Sequence, residues 1–397
     1  MCQSEFDFAR MIAPIEPGEF FDEFWEKRPL IVARNQPDYY SKLLSMCDLD
    51  RMLASSELRH PTLRLIKRDS SVALQRYASD TGIADIEKVL AEYQEGATIN
   101  LNYLHLHWEP LGVLCSHLEN IFYRRVWVNI YLTPPASQGF LPHYDTHDVF
   151  ILQLAGTKHW RIYDSPTALP LRDQYYHAAE FRPDRLLHEV ALHAGDLIFL
   201  PHGYIHEALT SDCSSLHATV GVEVYTWVDL YSAALEIAAR QDVRLRHSPL
   251  LGVGANEHGS ASLAEQFTAL LDRFAEVVRP EDMMRQVAEA ILLRRRPLHY
   301  GSLSDLDALP GLDVSAVLGK RAGIIARIEV SDDSVRLSYP GKQIKMPRRV
   351  EVALRFIVEA DEFEVHAIPG GLSDQSKLVL VRRLIKEGFL TIVRDQN

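Results

Sequence analysis

Five short apolar runs between residues 124 and 227 constrain this chain more than any other feature: "RRVWVNIYLT", "DVFILQLAG", "KHWRIYD", "HEVALHAGDLIFLP" and "SLHATVGVEVYTW". Each is rich in β-branched and aromatic residues and is closed by Gly, Pro, Asp or Ser. Strands this short and this regularly interrupted predict an antiparallel barrel or a double-sheet jelly roll. The β-rich pattern starts near Asn100 and ends near Thr226. The first hundred residues mix helices with turns. "PGEFFDEFWEKRPLIVAR" has a helical period up to Trp25, Arg28-Pro29 stops it, and an extended run follows; "ADIEKVLAEY" reads as an amphipathic helix.

After Trp227 the pattern becomes helical, in "VDLYSAALEIAARQDVRL" and "SLAEQFTALLDRFAEVV", the second closed by Pro280. The last stretch reads helix, short helix, helix and strand, in "RRVEVALRFIVEA", "FEVHAIPG" and "SDQSKLVLVRRLIKEGFLTIV", with Ser373 as N-cap and Gly388 as C-cap of the third helix. The fold class expected is therefore mainly β with α. Residues 1–99 would flank a barrel at 100–227, followed by a helical block at 228–300 and a winged-helix-like domain at 301–397. A length of 397 residues with 47% apolar side chains suits such a multidomain chain.

The net charge of −12 argues against a general nucleic-acid binder and suits a basic protein or peptide partner. The expected recognition helix carries only Lys377, Arg382, Arg383 and Lys386 among apolar residues, so packing against protein is at least as good a use for it. Cys2, Cys47, Cys115 and Cys213 show neither a disulfide framework nor a zinc spacing. No secretory signal is evident at the start and no apolar run reaches membrane-spanning length. A reducing, cytoplasmic setting without a membrane is expected.

"LPHYDTHDVFILQLAGTKHW" concentrates ionisable side chains in a strand-like run. If His143 and Asp145 lie on a strand, their i, i+2 spacing aims both at one face. His206, after the apolar run and the Pro-Gly turn of "GDLIFLPHGYIHEA", offers a third ligand. Two imidazoles and one carboxylate on one side of a metal leave three open positions, the arrangement of non-haem Fe(II) oxygenases. His147 shares the parity of His143 and Asp145, and His202 competes with His206. On spacing alone, zinc hydrolysis and a metal-free sugar-binding barrel stay open beside the iron site.

"HYDTHDVFILQLAGTKHWRIY" followed by "GDLIFLPHGYIHEA" resembles the JmjC-type 2-oxoglutarate oxygenases of the cupin superfamily, in the ribosomal-oxygenase branch. The N-terminal "FWEKRPLIV" and the order of barrel, helical block and winged helix extend the resemblance along nearly the whole chain. It implies a double-stranded β-helix whose iron ligands are His143, Asp145 and His206. It implies that Lys158 pairs with the distal carboxylate of 2-oxoglutarate and that Asn129, Tyr131 and Thr219 line the co-substrate pocket. Gly221 stands where a serine is common, and His217 reads as a supporting or structural residue. Fe(II), 2-oxoglutarate and O2 would be required, with succinate and CO2 released. The implied reaction is hydroxylation of a side chain in a protein or peptide, such as an arginine or histidine of a basic ribosomal protein. A peptide natural product, a free amino acid or an N-methyl group is the alternative target, and the helical block implies a homodimer. "HYDTHD" departs from the branch after its third residue, which places His147 and Asp148 at the expected substrate pocket.

Overall fold

The computed structural model describes residues 6–249 and 257–394, so Cys2 lies outside the described residues. The chain forms two compact units, Met1–Val224 and Tyr225–Asn397. In the first unit the strands are β1 (Leu30–Val32), β2 (Leu63–Lys67), β3 (Ser70–Ser71), β4 (Thr98–Leu101), β5 (Val126–Thr133), β6 (Asp148–Tyr163), β7 (Leu186–His193), β8 (Leu197–Leu200), β9 (His206–Leu209) and β10 (Ser215–Val222). The helices are α1 (Phe8–Ile12), α2 (Pro17–Glu23), α3 (Met46–Ser55), α4 (Ile86–Gln94) and α5 (Glu109–Phe122).

The sheet order is β1-β8-β6-β10-β5-β4-β2-β3, with β7 and β9 also paired to β6, and these pairings are antiparallel. Two of the runs legible in the sequence, "DVFILQLAG" and "KHWRIYD", prove to be one bent strand. The first half of β6 pairs with β8 and β10, and its second half with β7 and β9. The bend lies at Gly156, whose φ of +68° is accessible to glycine and where a Cβ would lie 1.9 Å from the Ser214 carbonyl oxygen. Beside it the register with β10 slips: Leu216 pairs with Ala155 and His217 with Gln153, so Leu154 of β6 is the extra, bulged residue. The long strand thus turns from one sheet into the other, as a jelly roll requires.

Each face of β6 is packed. Phe150 and Leu152 join a core shared with the helices, while Val149 and Ile151 join Trp160, Ile198 and Leu200 on the opposite face. On the helix side Phe20, Phe150 and Phe199 have ring centroids 4.7–5.6 Å apart, and Trp25 stacks on Phe122 at 4.9 Å. Burying one such ring contributes about 1.5–3 kcal/mol, so this cluster holds β6 and β8 from behind and leaves the opposite face for other side chains. Helix α5 corrects the β-rich reading of its segment. Pro110 sits in its first turn, and Leu111, Leu114, Cys115, Leu118 and Phe122 are buried at helical spacing.

In the second unit, α6 (Trp227–Gln241) starts with a capping box in which Thr226 and Asp229 exchange hydrogen bonds. It is followed by α7 (Glu257–Val277) and α8 (Pro280–Arg294). Pro280 both ends the preceding pattern and occupies the first turn of α8. Beyond α9 (Ser302–Ala308), strand β11 (Val317–Lys320) lies between β15 (Glu362–Glu364) and β16 (Leu390–Ile392). Strands β12 (Arg327–Val330), β13 (Ser334–Tyr339) and β14 (Lys342–Pro347) form a separate meander, and α10 (Glu351–Glu359) and α11 (Asp374–Lys386) complete the unit. "FEVHAIPG", expected as a short helix, is strand β15 followed by a 3-10 turn, because Phe363 pairs with Leu318 and buries its ring. Ser373 accepts the Ser376 N–H at the start of α11, and Gly388 follows its end at φ +81°.

Candidate metal centre

His143 and Asp145 do not lie on a strand, contrary to the parity argument; they precede β6 in a loop stitched to the turn before β9. The His143 and His206 backbones exchange N–H···O bonds of 3.1 and 2.8 Å, and the Gly203 N–H donates to the Asp145 carbonyl at 3.0 Å. These bonds bring His143, Asp145 and His206 together, with one potential ligand atom from each lying within 4.8 Å of the others. Asp145 Oδ2 is 3.7 Å from His206 Nε2.

Both imidazoles are oriented from behind. His143 Nδ1–H donates to the Leu141 carbonyl at 2.7 Å, and His206 Nδ1–H donates to the Tyr204 carbonyl at 3.0 Å. A carbonyl can only accept, so each Nδ1 carries the proton and each Nε2 keeps its lone pair. Burial, reinforced by His143, lowers the His206 pKa to about 4 and keeps that ring neutral. Burial opposes the Asp145 charge, but the imidazoles of His147, His143 and His206 outweigh it and hold the carboxyl below its usual range. Two imidazoles, each holding its Nδ1–H on a carbonyl, and a carboxylate converge in a set that fits a divalent first-row metal.

The competing histidines lie outside this cluster. His202 donates through its backbone N–H and its Nδ1 to Asp148 Oδ1, at 2.9 and 2.8 Å, and both side chains are buried. Asp148 is thus a structural partner and does not line the cavity, against the expectation from "HYDTHD". His147 does line it.

The cluster opens into a cavity of about 190 Å3 that is also lined by Lys158, Asn129, Tyr131, Thr219 and His217. Lys158 is 5% exposed, where a strand lysine usually reaches solvent. Its Nζ donates to Thr133 Oγ1 at 3.0 Å and lies 6.0 Å from the centre of the Trp160 ring. Among the described residues no carboxylate forms an ion pair with it. Burial lowers its pKa to about 7. The imidazole of His217 stacks on Tyr131 at 4.9 Å and 12°, and its buried Nδ1 has no hydrogen-bond partner among the described residues. Burial and then Lys158 push the His217 pKa well below the ordinary imidazole value. Burial, then Asp145, raise that of Tyr131 to about 12. Asn129 Oδ1 accepts the Tyr103 N–H at 3.0 Å.

The sequence reading missed Thr133, which holds Lys158, and Thr98 and Trp160 as cavity groups. Thr98 Oγ1 donates to Thr133 Oγ1 at 3.2 Å, and Thr98 and Trp160 line the cavity. Thr133 was within reach, because it shares the alternation of Asn129 and Tyr131 along β5.

Comparison with known proteins agrees with this architecture. Residues 106–230 match the JmjC domain. The chain is 32% identical to ribosomal oxygenase 2 of Mus musculus over 84% of this chain and 73% of that protein. It is 36% identical to ribosomal oxygenase 1 of Gallus gallus over 60% of this chain and 41% of that one. It is 34% identical to the bifunctional lysine-specific demethylase and histidyl-hydroxylase NO66 of Drosophila yakuba, over 79% and 47%. The chain therefore spans less than half the length of the last two relatives. The Escherichia coli protein YcfD shares the fold at 19% identity and a TM-score of 0.59, over 96% of this chain and 98% of that one. YcfD has also been solved as a ribosomal oxygenase in complex with cobalt and 2-oxoglutarate. With a third of its positions matching along most of both itself and the mouse protein, this chain belongs to the ribosomal-oxygenase-like branch of the JmjC-domain cupins.

Proposed function

We infer that the first unit is an Fe(II)- and 2-oxoglutarate-dependent oxygenase that hydroxylates a side chain of a protein or peptide. The observation that carries this reading is Lys158. A buried ammonium costs several kcal/mol unless an anion meets it, and here its hydrogen-bond acceptor is a threonine hydroxyl. A dicarboxylic ligand that binds metal at one end and this cation at the other supplies the missing charge. His143, Asp145 and His206 would hold the metal, and Lys158 with Thr133 would hold the distal carboxylate. Tyr131, Asn129 and Thr219 would shape the wall between them. When bound, Fe(II) with 2-oxoglutarate and O2 supplies oxidation of an unactivated C–H bond, with succinate and CO2 as co-products. The protein contributes position: the two Nδ1–H bonds fix the ligand rings, and the apolar packing behind β6 limits movement of the wall.

A basic protein substrate, such as an arginine or histidine of a ribosomal protein, is supported by the mouse, chicken and Escherichia coli relatives and by the net charge of −12. Fe(II) needs a reducing compartment, and the free thiols of Cys47, Cys115 and Cys213 support a cytoplasmic one. Among the described residues no helix is long and apolar enough to cross a membrane.

For the second unit we keep a helical dimerisation block followed by a winged-helix-like domain. Trp227, Tyr231 and Leu235 are 73%, 63% and 51% exposed and spaced by four along α6, an apolar stripe that suits a second copy of the chain. On α11, Lys377 donates to the His366 carbonyl and Arg382 to the Leu312 carbonyl. Spending two of the four cations inside the unit supports protein packing over nucleic-acid binding.

Anaerobic titration with Fe(II) and then 2-oxoglutarate tests the site. A visible metal-to-ligand charge-transfer band is expected in the natural protein and none in His143→Ala. An undiminished band in the variant removes the proposed ligand set. Mass spectrometry of ribosomal proteins from cells with and without the enzyme then seeks the gain of one oxygen atom, and formaldehyde release would mark demethylation instead.

A further inference from the structure

We propose that the connection between β6 and β7, residues 164–185, is an outer clamp that aims Asp145 at the metal, with Tyr144 as its grip and as a positioning residue of the site. The proposal rests on the metal-binding reading of His143, Asp145 and His206 and adds what holds the carboxylate in place.

The three ligands are not held alike. Each imidazole is tethered through Nδ1 to the carbonyl two residues before it. Among the described residues the Asp145 carboxylate has no such tether, and its separation of 3.7 Å from His206 Nε2 is too long for a hydrogen bond. A ligating carboxylate is ordinarily hydrogen-bonded in its turn. Here its direction is left to the backbone that carries it.

That backbone is gripped on two sides by one piece of chain. Tyr144 stands between two ligands, yet its side chain is buried outside the cavity. Its ring centroid lies 5.4 Å from that of Tyr176 and 5.9 Å from that of Phe181. Its hydroxyl donates to the Gln174 carbonyl at 3.0 Å. That carbonyl is fixed in turn, because Gln174 Oε1 accepts the Leu171 N–H at 2.8 Å and the Gln174 N–H donates to the Leu171 carbonyl at 3.0 Å. On the other side stands Gly203, whose N–H holds the Asp145 carbonyl. A Cβ there would lie 2.7 Å from Pro170 Cδ, 2.8 Å from the Thr167 carbonyl oxygen and 2.9 Å from Ser165 Oγ, all in the same connection. The connection is closed at its base, where the Asp164 N–H donates to the Arg185 carbonyl at 3.0 Å and the two side chains pair at 2.7 Å. Arg172 Nε pins it to the Val224 carbonyl at 3.1 Å, just beyond β10.

A tyrosine hydroxyl on a backbone carbonyl is also an ordinary way to fasten a loop. Two observations take this one further. Tyr144 is adjacent in the chain to the one ligand that lacks a tether, and the connection it grips also backs the glycine that holds that ligand's carbonyl. Loosening the grip leaves both imidazoles on their own carbonyls and frees the carboxylate, so the effect on the metal passes through Asp145.

The test titrates the full chain with Cu(II) by calorimetry. Cu(II) binds such sites most tightly among the divalent first-row metals, so two histidines still hold it when the carboxylate is removed. Binding that persists in His143→Ala is subtracted. Tyr144→Phe keeps the ring and loses only the bond to Gln174; it is expected to melt with the natural protein and to bind Cu(II) about tenfold more weakly. Tyr144→Leu, which also empties the contact with Tyr176 and Phe181, is expected to bind about a hundredfold more weakly. In an Asp145→Ala background the same two substitutions are expected to change affinity by no more than about twofold, since the ligand they aim is gone. The copper electron paramagnetic resonance spectrum of Tyr144→Phe is expected to move towards that of Asp145→Ala. An undiminished affinity in Tyr144→Phe, or the same loss with and without Asp145, would overturn the clamp. Absence of His143-dependent Cu(II) binding in the natural protein would instead overturn the metal-binding reading on which it rests.

Discussion

A buried cation is handled differently in the two units, as Arg321 and Lys158 show. In the second unit Arg321 is 5% exposed and meets Asp305, 1% exposed, at 2.6 Å. Asp305 also accepts from Thr391 Oγ1 at 2.8 Å and from the Ile392 N–H at 3.3 Å, so one carboxylate ties α9 to β16 and to Arg321. In the first unit Lys158 is equally buried, yet its hydrogen-bond acceptor is the Thr133 hydroxyl. The Arg321 charge is satisfied by a carboxylate of the fold, whereas Lys158 meets only a neutral hydroxyl, the contrast on which the proposed ligand role rests. Depth of burial alone does not distinguish a structural cation from a binding one; the accounting of its partners does.

The difference can be attacked from both sides. Asp305→Ala leaves Arg321 buried without its carboxylate and is expected to destabilise the protein by about 3–5 kcal/mol in urea denaturation. A loss under about 1 kcal/mol would mean that the pair is not what holds α9. Lys158→Ala is expected to weaken 2-oxoglutarate by roughly 2–5 kcal/mol, on the order of 30- to 5000-fold, with Mn(II) affinity unchanged by calorimetry. Equal loss of metal and co-substrate would remove the role given to the lysine.

A pH series gives a smaller effect with a definite sign. Between pH 7 and the ordinary lysine value of 10.5, the unfolded chain carries the Lys158 proton and the folded, ligand-free protein does not. Lys158 thus makes a contribution to stability that rises with pH across that window. Binding a carboxylate beside Lys158 takes the proton back up, so 2-oxoglutarate affinity should fall across the same window by up to about tenfold per pH unit. A flat affinity profile from pH 7 to 9, measured with Mn(II), would show the lysine to be charged before the ligand arrives. The smallest change is expected from Lys158→Met, which should stabilise the ligand-free protein by about 1 kcal/mol, since an apolar side chain replaces an uncompensated one. Destabilisation would mean that Lys158 has a structural partner after all.

Much of the barrel could be read from local pattern. The runs of β5, β6, β7, β8 and β10 were recognisable from composition and turn residues, and the order HxD, GTKHW and PHGYIH carried the resemblance. What failed were readings that depend on distant chain. Residues 143–147 look like strand but lie outside it, because their backbone is committed to the turn at Gly203 and to a single bridge with His206. Strand β9 escaped notice because only four residues separate the Pro-Gly turn from the next polar stretch. Helix α5 was hidden by the β-rich sequence on its C-terminal side, although its own apolar spacing was helical.

The sequence alone determined which side chains were available as ligands and the alternation that sets Asn129, Tyr131 and Thr133 on one face of β5, since both follow from residue identity and the two-residue period of a strand. Tertiary structure decided that Lys158 ends inside the barrel on Thr133, that His202 is spent on Asp148, and that Trp127 lies over Gly221. Each of these depends on the bend at Gly156 and on the register between strands far apart in the chain. Local preference assigns a residue to a face, but only the closing of the sheet determines what that face meets.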